Sequence, residues 1–388
     1  MPVALRFSLA ALLLLAPAVS AAQGTTKPVG QAEIRPGQYR APEFAPPSIL
    51  DYQPRSTLVV PAHPVLRAKY PTIDLHGHPP TLVLPEVIER VTTALDSLNV
   101  RMMINASGSS GDRLTQQIAG VKAAGKADRF AFFTTLNLRD VGPGSGAAIA
   151  AQLEADVKAG AVGVGEIGKG FGISNRKRDG SRLQIDDPEL DVVWQTAARL
   201  KIPIFIHVAD PSEFWAPIDM QNERWLELAL FSDRRYQDRA RAPDFETLMA
   251  ERDRLFARHP NTTFIIAHLG WHANDLARLG RLFDRFPNLH SEIGAVLYDL
   301  GRQPRAAKAF FTKYQDRILF GKDAFYPEEY PYYWRVLETE DEYFDYYRGY
   351  HAFWKMYGMG LPDVVLQKLY FRNALRIIPG LPKAGFPK

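Results

Sequence analysis

The stretch Thr72 to Pro79, TIDLHGHP, places two histidines two residues apart at the end of a short apolar run. In an extended strand successive side chains point to opposite faces, so His76 and His78 emerge on one side, close enough to grip one ion. Taken alone, the pair also reads as a chance feature of a surface loop. Other apolar runs end in the same kind of residue. Glu166 lies at the end of AVGVGEI (161–167), His207 in IPIFIHV (202–208) and His268 at the end of TTFIIAH (262–268), while RILFG (317–321) leads into Lys322 and Asp323. Imidazoles and carboxylates without sulfur suit Zn2+, Mn2+, Fe2+ or Ni2+. The chain has no cysteine, which excludes disulfides, thiolate ligands, a thiol nucleophile and an acylated lipoprotein anchor.

Such residues need elements to hold them. Besides these five runs, TIDLH (72–76) included, the chain carries VRMMIN (100–105), FAFFTTL (130–136) and NLHSEIG (288–294), separated by amphipathic stretches such as LPEVIERVTTALDSLN and AIAAQLEADVKAG. Strands apolar on both faces and separated by helices imply parallel pairing under helical cover. Eight such units over about 250 residues predict an α/β fold, a (β/α)8 TIM barrel, whose active sites sit at the C-terminal strand ends. A doubly wound open sheet is the rival, but it favours a Gly-rich phosphate turn after its first strand, where this chain has His-Gly-His. The histidines, Glu166 and Asp323 all fall on the catalytic rim of the predicted barrel.

The 388 residues are 46% hydrophobic and 23% charged, an ordinary soluble balance with room for a large core. A formal charge of +4 with only short clusters, Arg176-Lys177-Arg178 and Arg234-Arg235, gives no footprint for nucleic acid. The opening MPVALRFSLAALLLLAPAVSAAQG reads as a signal peptide over 1–21, with cleavage near Ala21 or Ala22. Its apolar core is too short for a stable span, so a secreted or periplasmic protein is expected, with an uncleaved anchor as the alternative. Residues 22–70, rich in proline and without a sustained period, read as an extended arm before the 71–388 barrel.

TIDLHGHP, IPIFIHVADP, FIIAHLG, RILFGKDAF and the closing VVLQKLYFRNALRIIPG resemble the amidohydrolase superfamily, most closely its amidohydrolase-2 branch of metal-dependent barrel hydrolases and decarboxylases. The resemblance covers roughly Pro71 to Gly380. It implies metal ligation by His76, His78, His207 and Asp323, with His268 beside the water or substrate or on a second metal. It also implies that homodimers are frequent. Two positions depart from the pattern: Lys322 replaces a small hydroxyl residue, and Glu166 stands where close relatives often carry lysine, with another lysine at Lys169. Glu166 could bridge two ions, although one divalent ion, most simply Zn2+, is the reading preferred here.

A divalent ion on this rim makes water acidic enough to act as a nucleophile near neutral pH. Asp323 would accept its proton and pass it to the leaving group, and His268 would orient the water or stabilise the developing oxyanion. The competing role for Asp323 is a helix N-cap. The long insertion after the fifth strand brings Trp215, Arg224 and Trp225 as candidate substrate contacts, joined by Lys169 and Lys322. The other reading of these tryptophans is packing of the insertion, with Arg234, Arg235, Arg239 and Arg241 as a solvated face. The second insertion, after the eighth strand, is rich in aromatic residues that suit a pocket or a helical core equally. His63, His259, His272, His290 and His351 read as structural or surface residues, His290 least securely, because it and Glu292 would face the barrel interior together. The leading function is a small-molecule hydrolase of a lactone, ester or amide. A non-oxidative decarboxylase on the same site, or an exported binding protein without turnover, are the alternatives.

Overall fold

A computed structural model describes residues 32–387 apart from 42 and 46, so the predicted signal peptide lies outside the described residues. The chain divides into two compact units at Val59/Val60. In the first, strands β1 (Ala32–Arg35) and β2 (Gln38–Arg40) pair antiparallel. Gly37, at φ 81°, turns the chain between them, a conformation glycine adopts without a Cβ penalty. Strands this short carry too few residues to print a period, which is why the sequence shows only an arm here. The residues read as one arm, 22–70, fall in both units. Those from Val60 onward belong with the barrel, where the Ala68 N–H donates to the Leu98 carbonyl at 3.1 Å.

The second unit is built on β3 (Thr72–His78), β4 (Val100–Ser109), β5 (Phe130–Thr134), β6 (Gly163–Ile167), β7 (Ile204–Ile206), β8 (Phe264–Ile266), β9 (Leu289–Glu292), β10 (Ile318–Leu319) and β11 (Asp323–Ala324). Each of the eight predicted runs carries a strand. All nine pair in parallel, in the order β10-β9-β8-β7-β6-β5-β4-β3-β11. β10 and β11 are two halves of one segment. The first half bonds to β9 and the second to β3, so this segment joins the two ends of the row. The sheet curls into a (β/α)8 barrel.

The connecting helices follow from local sequence. Pro85–Leu98 starts with proline at its first turn and buries Ile88, Val91, Thr92, Leu95 and Leu98, one stripe of a 3.6-residue repeat. The second insertion places Tyr330, Tyr333 and Trp334 on the helix Tyr330–Glu338, fully buried around Phe320. These aromatics are core. Among the described residues no helix is long and apolar enough to cross a membrane.

Gly321, between the halves of the eighth strand, is where β9 and β3 come closest to it. A Cβ there would lie 2.5 Å from Glu292 Oε2 and 2.7 Å from His76 Cβ. Gly321→Ala is therefore expected to destabilise the protein by about 1–3 kcal/mol, read as a lower denaturation midpoint at unchanged m-value. An unchanged midpoint would mean that β10 moves aside freely.

Candidate metal centre

Every residue of the centre comes from a strand end or the turn after it. His76 and His78 are the alternate, same-side residues of β3, and Glu166 is the fourth residue of β6. His207 follows β7, and His268 follows β8 in a turn where His268, Leu269, Gly270 and Trp271 all have φ between 52° and 60°. That left-handed run is costly for residues with a Cβ. It turns the His268 Nδ1 to the Gly294 carbonyl at 2.8 Å and puts its ring 4.5 Å from the Trp271 ring.

Glu166 is the hub. Its Oε2 lies 3.3 Å from Nε2 of both His76 and His78. Its Oε1 lies 2.6 Å from His207 Nδ1 and 4.0 Å from His268 Nε2. Asp323 Oδ1 stands 3.8 Å and 3.6 Å from the His76 and His78 Nε2 atoms. Asp323 caps no helix, since the next helical turn begins at Pro327.

Beneath these residues Glu292, fully buried on β9, faces His76 Nδ1 at 3.2 Å and accepts the His268 backbone N–H at 2.6 Å. Asp74, also fully buried, accepts the backbone N–H groups of His76 and Lys322 at 3.0 and 3.2 Å and the Tyr330 hydroxyl at 2.5 Å. It ties β3 to the eighth strand under the site.

Burial disfavours charge at these groups; it prevails at Asp74 and His268, while mutual fields prevail at His76, His207, Glu166, Glu292 and Asp323. Glu166 and Glu292 hold His76 well above the ordinary imidazole pKa, and Glu166 raises that of His207. In return His76 and His207 hold Glu166 well below the usual carboxylate range, and His76 lowers Glu292. Asp323 is lowered chiefly by His76 and His268. His268 goes down, from burial and then the charge on His207.

A cation fits this donor set. His76 Nε2 is buried without a hydrogen-bond partner, and three overlapping groups, His76/His78/Glu166, His76/His268/Glu292 and Glu166/His207/His268, each bring their ligand atoms within 4.8 Å of one another. Four imidazoles with carboxylates and no sulfur suit Zn2+ and its first-row neighbours. Because the raised histidines must lose protons to ligate, ion uptake should release protons near pH 7, and affinity should fall as pH drops below the raised pKa values. Titrating zinc into weakly buffered, chelator-treated protein measures this release; a signal no larger than that of a His76→Ala variant would contradict it.

A family model described as Amidohydrolase (Amidohydro_2) matches residues 66–380. The chain belongs to the amidohydrolase family. A solved TIM-barrel protein of uncharacterised function from Bordetella bronchiseptica is 16% identical, covering 79% of this chain and 97% of its own at a TM-score of 0.50, a likeness of fold. A 2,6-dihydroxybenzoate decarboxylase is 17% identical over 79% of this chain and 99% of its own at 0.47. A probable 2-pyrone-4,6-dicarboxylic acid hydrolase from Acinetobacter baumannii is 13% identical over 65% and 84%, at 0.35. No curated protein matches.

In this amidohydrolase, His76, His78, Glu166, His207, His268 and Asp323 converge. The candidate substrate contacts divide. A cavity of about 140 Å³ opens beside His207, His268 and Asp323, and Lys169 and Arg224 line it. Trp215 does not line it: its indole N–H donates to the Pro243 carbonyl at 2.7 Å, and its ring packs on Tyr236 and Phe245. Trp225, 37% exposed on the helix Trp225–Leu230, also stands outside it. Lys322 is a correction too, since its ammonium is buried against Glu329 and the Ala324 carbonyl, away from the cavity. Lys322 lies in the non-strand link between β10 and β11, and Asp323 follows it at φ 81°, so the two side chains part at this turn.

Sequence reasoning left Glu292 undecided and passed over Asp74, Trp271 and Asp210. Only Glu292 left a signal, the alternation of NLHSEIG. Asp210 bonds Lys169 Nζ and accepts the Tyr236 hydroxyl, each at 2.8 Å. His351, read as structural or surface, lines the cavity.

Proposed function

We propose that this amidohydrolase is a metal-dependent hydrolase, exported from the cell, that cleaves a C–O or C–N bond of a small lactone, ester or amide. The observation that carries the reading is the division of Glu166, with one carboxylate oxygen facing His76 and His78 and the other facing His207 and His268. A carboxylate shared in this way suits a pair of cations, in place of the single ion expected from the sequence, and such a pair is an arrangement used to activate water for hydrolysis. His76, His78, Glu166 and Asp323 would hold one, and Glu166, His207 and His268 a second. The ions supply Lewis acidity, making water nucleophilic near neutral pH and polarising the substrate carbonyl.

The remaining work falls to the chain's own groups. Asp323, held ionised and 34% exposed beside the cavity, accepts a proton from the attacking water as the new C–O bond forms, and returns it to the leaving oxygen or nitrogen as the old bond breaks. His268, its Nδ1–H donated to the Gly294 carbonyl, has its unprotonated Nε2 fixed toward Glu166 Oε1, where it would serve as a ligand and not as a donor to the reacting carbonyl. Trp271, packed on His207 and His268, shields both from bulk water.

Metal analysis of native protein and Glu166→Gln, with a panel of lactones, esters, amides and aromatic acids before and after chelation, tests this. The expected result is about two ions per chain falling to about one in Glu166→Gln, with chelator-sensitive release of an acid and an alcohol or amine. Release of carbon dioxide would make the protein a lyase. An ion content unchanged in Glu166→Gln would remove the bridge, and no bound ion would overturn the reading.

A further inference from the structure

The wall of the cavity facing away from the ligand cluster is built by the two insertions. Arg224, Glu227 and Arg234 come from the segment after β7, and Arg348 and His351 from the segment after β11. Their charges do not balance. Glu227 pairs with both Arg224 and Arg234, and Arg348 must share Glu329 with the buried Lys322, so the wall's three guanidiniums have one carboxylate of the wall, Glu227, and a share of a second. Arg224 is 3% exposed, its guanidinium 4.3 Å over the Tyr298 ring, and its Nε has no hydrogen-bond partner. His351 is 6% exposed and its Nδ1 is likewise without a partner. A buried polar atom left unpaired is costly, and a guanidinium surplus facing a cavity is normally met by an anion.

We propose that Arg224, Arg234, Arg348 and His351 form a carboxylate subsite, so that the substrate is a small bifunctional acid whose free carboxylate docks on this wall while its scissile group reaches Asp323. The proposal deepens the hydrolase reading and rests on it for the scissile group alone. Arg234 and Arg348, with side chains 31% and 23% exposed, make the direct contacts. Arg224, locked on Glu227 and Tyr298, supplies fixed charge beneath them. Burial, with the three guanidiniums, pushes the His351 pKa down to about 2, so its ring stays neutral, with Nε2 3.6 Å from Glu227 Oε1 and Nδ1 the ring nitrogen left without a partner. The cavity volume, about 140 Å³, admits a few carbon atoms or one ring. That is below the range of roughly 300–1,000 Å³ usual for drug-sized ligands.

The test is calorimetric titration of glutarate, with neutral glutaramide as control, into chelator-treated and zinc-loaded protein, in wild type, Arg234→Gln, Arg348→Gln and the charge-keeping Arg234→Lys and Arg348→Lys. Thermal melts confirm folding. Zinc-loaded protein is also assayed on p-nitrophenyl acetate and mono-p-nitrophenyl glutarate. Glutarate should bind wild type with or without zinc, about tenfold more weakly in each glutamine variant and with partial recovery in each lysine variant, while glutaramide does not bind. The preference for the anionic ester should disappear in the glutamine variants. Equal glutarate affinity in wild type and both glutamine variants would overturn the subsite. Arginine-dependent glutarate binding without turnover of either ester would sink the hydrolase reading and leave the subsite standing.

Discussion

Asp323→Asn is expected to lower kcat about a thousandfold, within the usual range for loss of a general acid–base group, with little change in KM. Among the carboxylates of the centre Asp323 alone lines the cavity; Glu166 is 13% exposed and Glu292 is sealed under His76. In the ion-free protein His76 and His268 hold its carboxylate below the usual range against burial, and a bound cation would replace the charge that His76 gives up on ligation, leaving it ionised at neutral pH. The amide keeps the shape and one oxygen near His76 and His78 but cannot take up the proton. His76→Ala should differ in kind, since it removes the ligand atom left unpaired in the core of the cluster, and there ion content should fall together with activity. Single-turnover kinetics alongside metal analysis separate the two. An Asp323→Asn variant that loses its ion and its activity in proportion would make Asp323 a ligand and nothing more.

The second large effect is acid instability arising away from the centre. His272, His290 and His351 are 2%, 6% and 6% exposed, and burial with neighbouring arginines pushes their pKa values down to about 2, 3 and 2. The arginines are Arg252 and Arg278 for His272, Arg317 and Arg376 for His290, and Arg224, Arg348 and Arg234 for His351. A lowered folded pKa means that the unfolded chain takes up protons first. These groups therefore favour the native state above about pH 6.5, and that stability is lost as pH falls below it, at about 1.4 kcal/mol per pH unit for each. Between pH 6 and pH 5 the three together remove roughly 4 kcal/mol. His76 and His207, raised in the ion-free protein, act in the opposite sense, so the comparison is best made by difference. His272→Gln should flatten the dependence by about one third of that amount, read from denaturant midpoints at pH 7, 6 and 5. Parallel pH dependences for wild type and variant would show that the His272 ring is protonated in the fold.

Much of this protein is written in runs of five to seven residues. Parallel strands buried on both faces leave an unbroken apolar signature, and the eight runs from Thr72 to Gly321 mark the barrel for that reason. Because a barrel gathers its strand ends on one rim, His76, His78, Glu166, His207, His268 and Asp323 were readable as a group before any contact was known. Tertiary structure alone decided the side-chain partners, since these depend on residues hundreds of positions apart. Asp74 meets Tyr330, and Glu292 meets His76, across contacts with no local trace. It also settled direction at Lys322, whose ammonium turns to Glu329 in the link between β10 and β11. Outside the helices the insertions carry no period, so Trp215 could be read as a substrate contact or as packing and packs on Tyr236, while His351, read as structural or surface, lines the cavity. The sequence by itself determined the barrel and the rim, because strand burial and strand ends are local patterns. The cationic wall opposite the centre was decided only in three dimensions, because it is assembled from two irregular segments whose meeting depends on closure of the barrel.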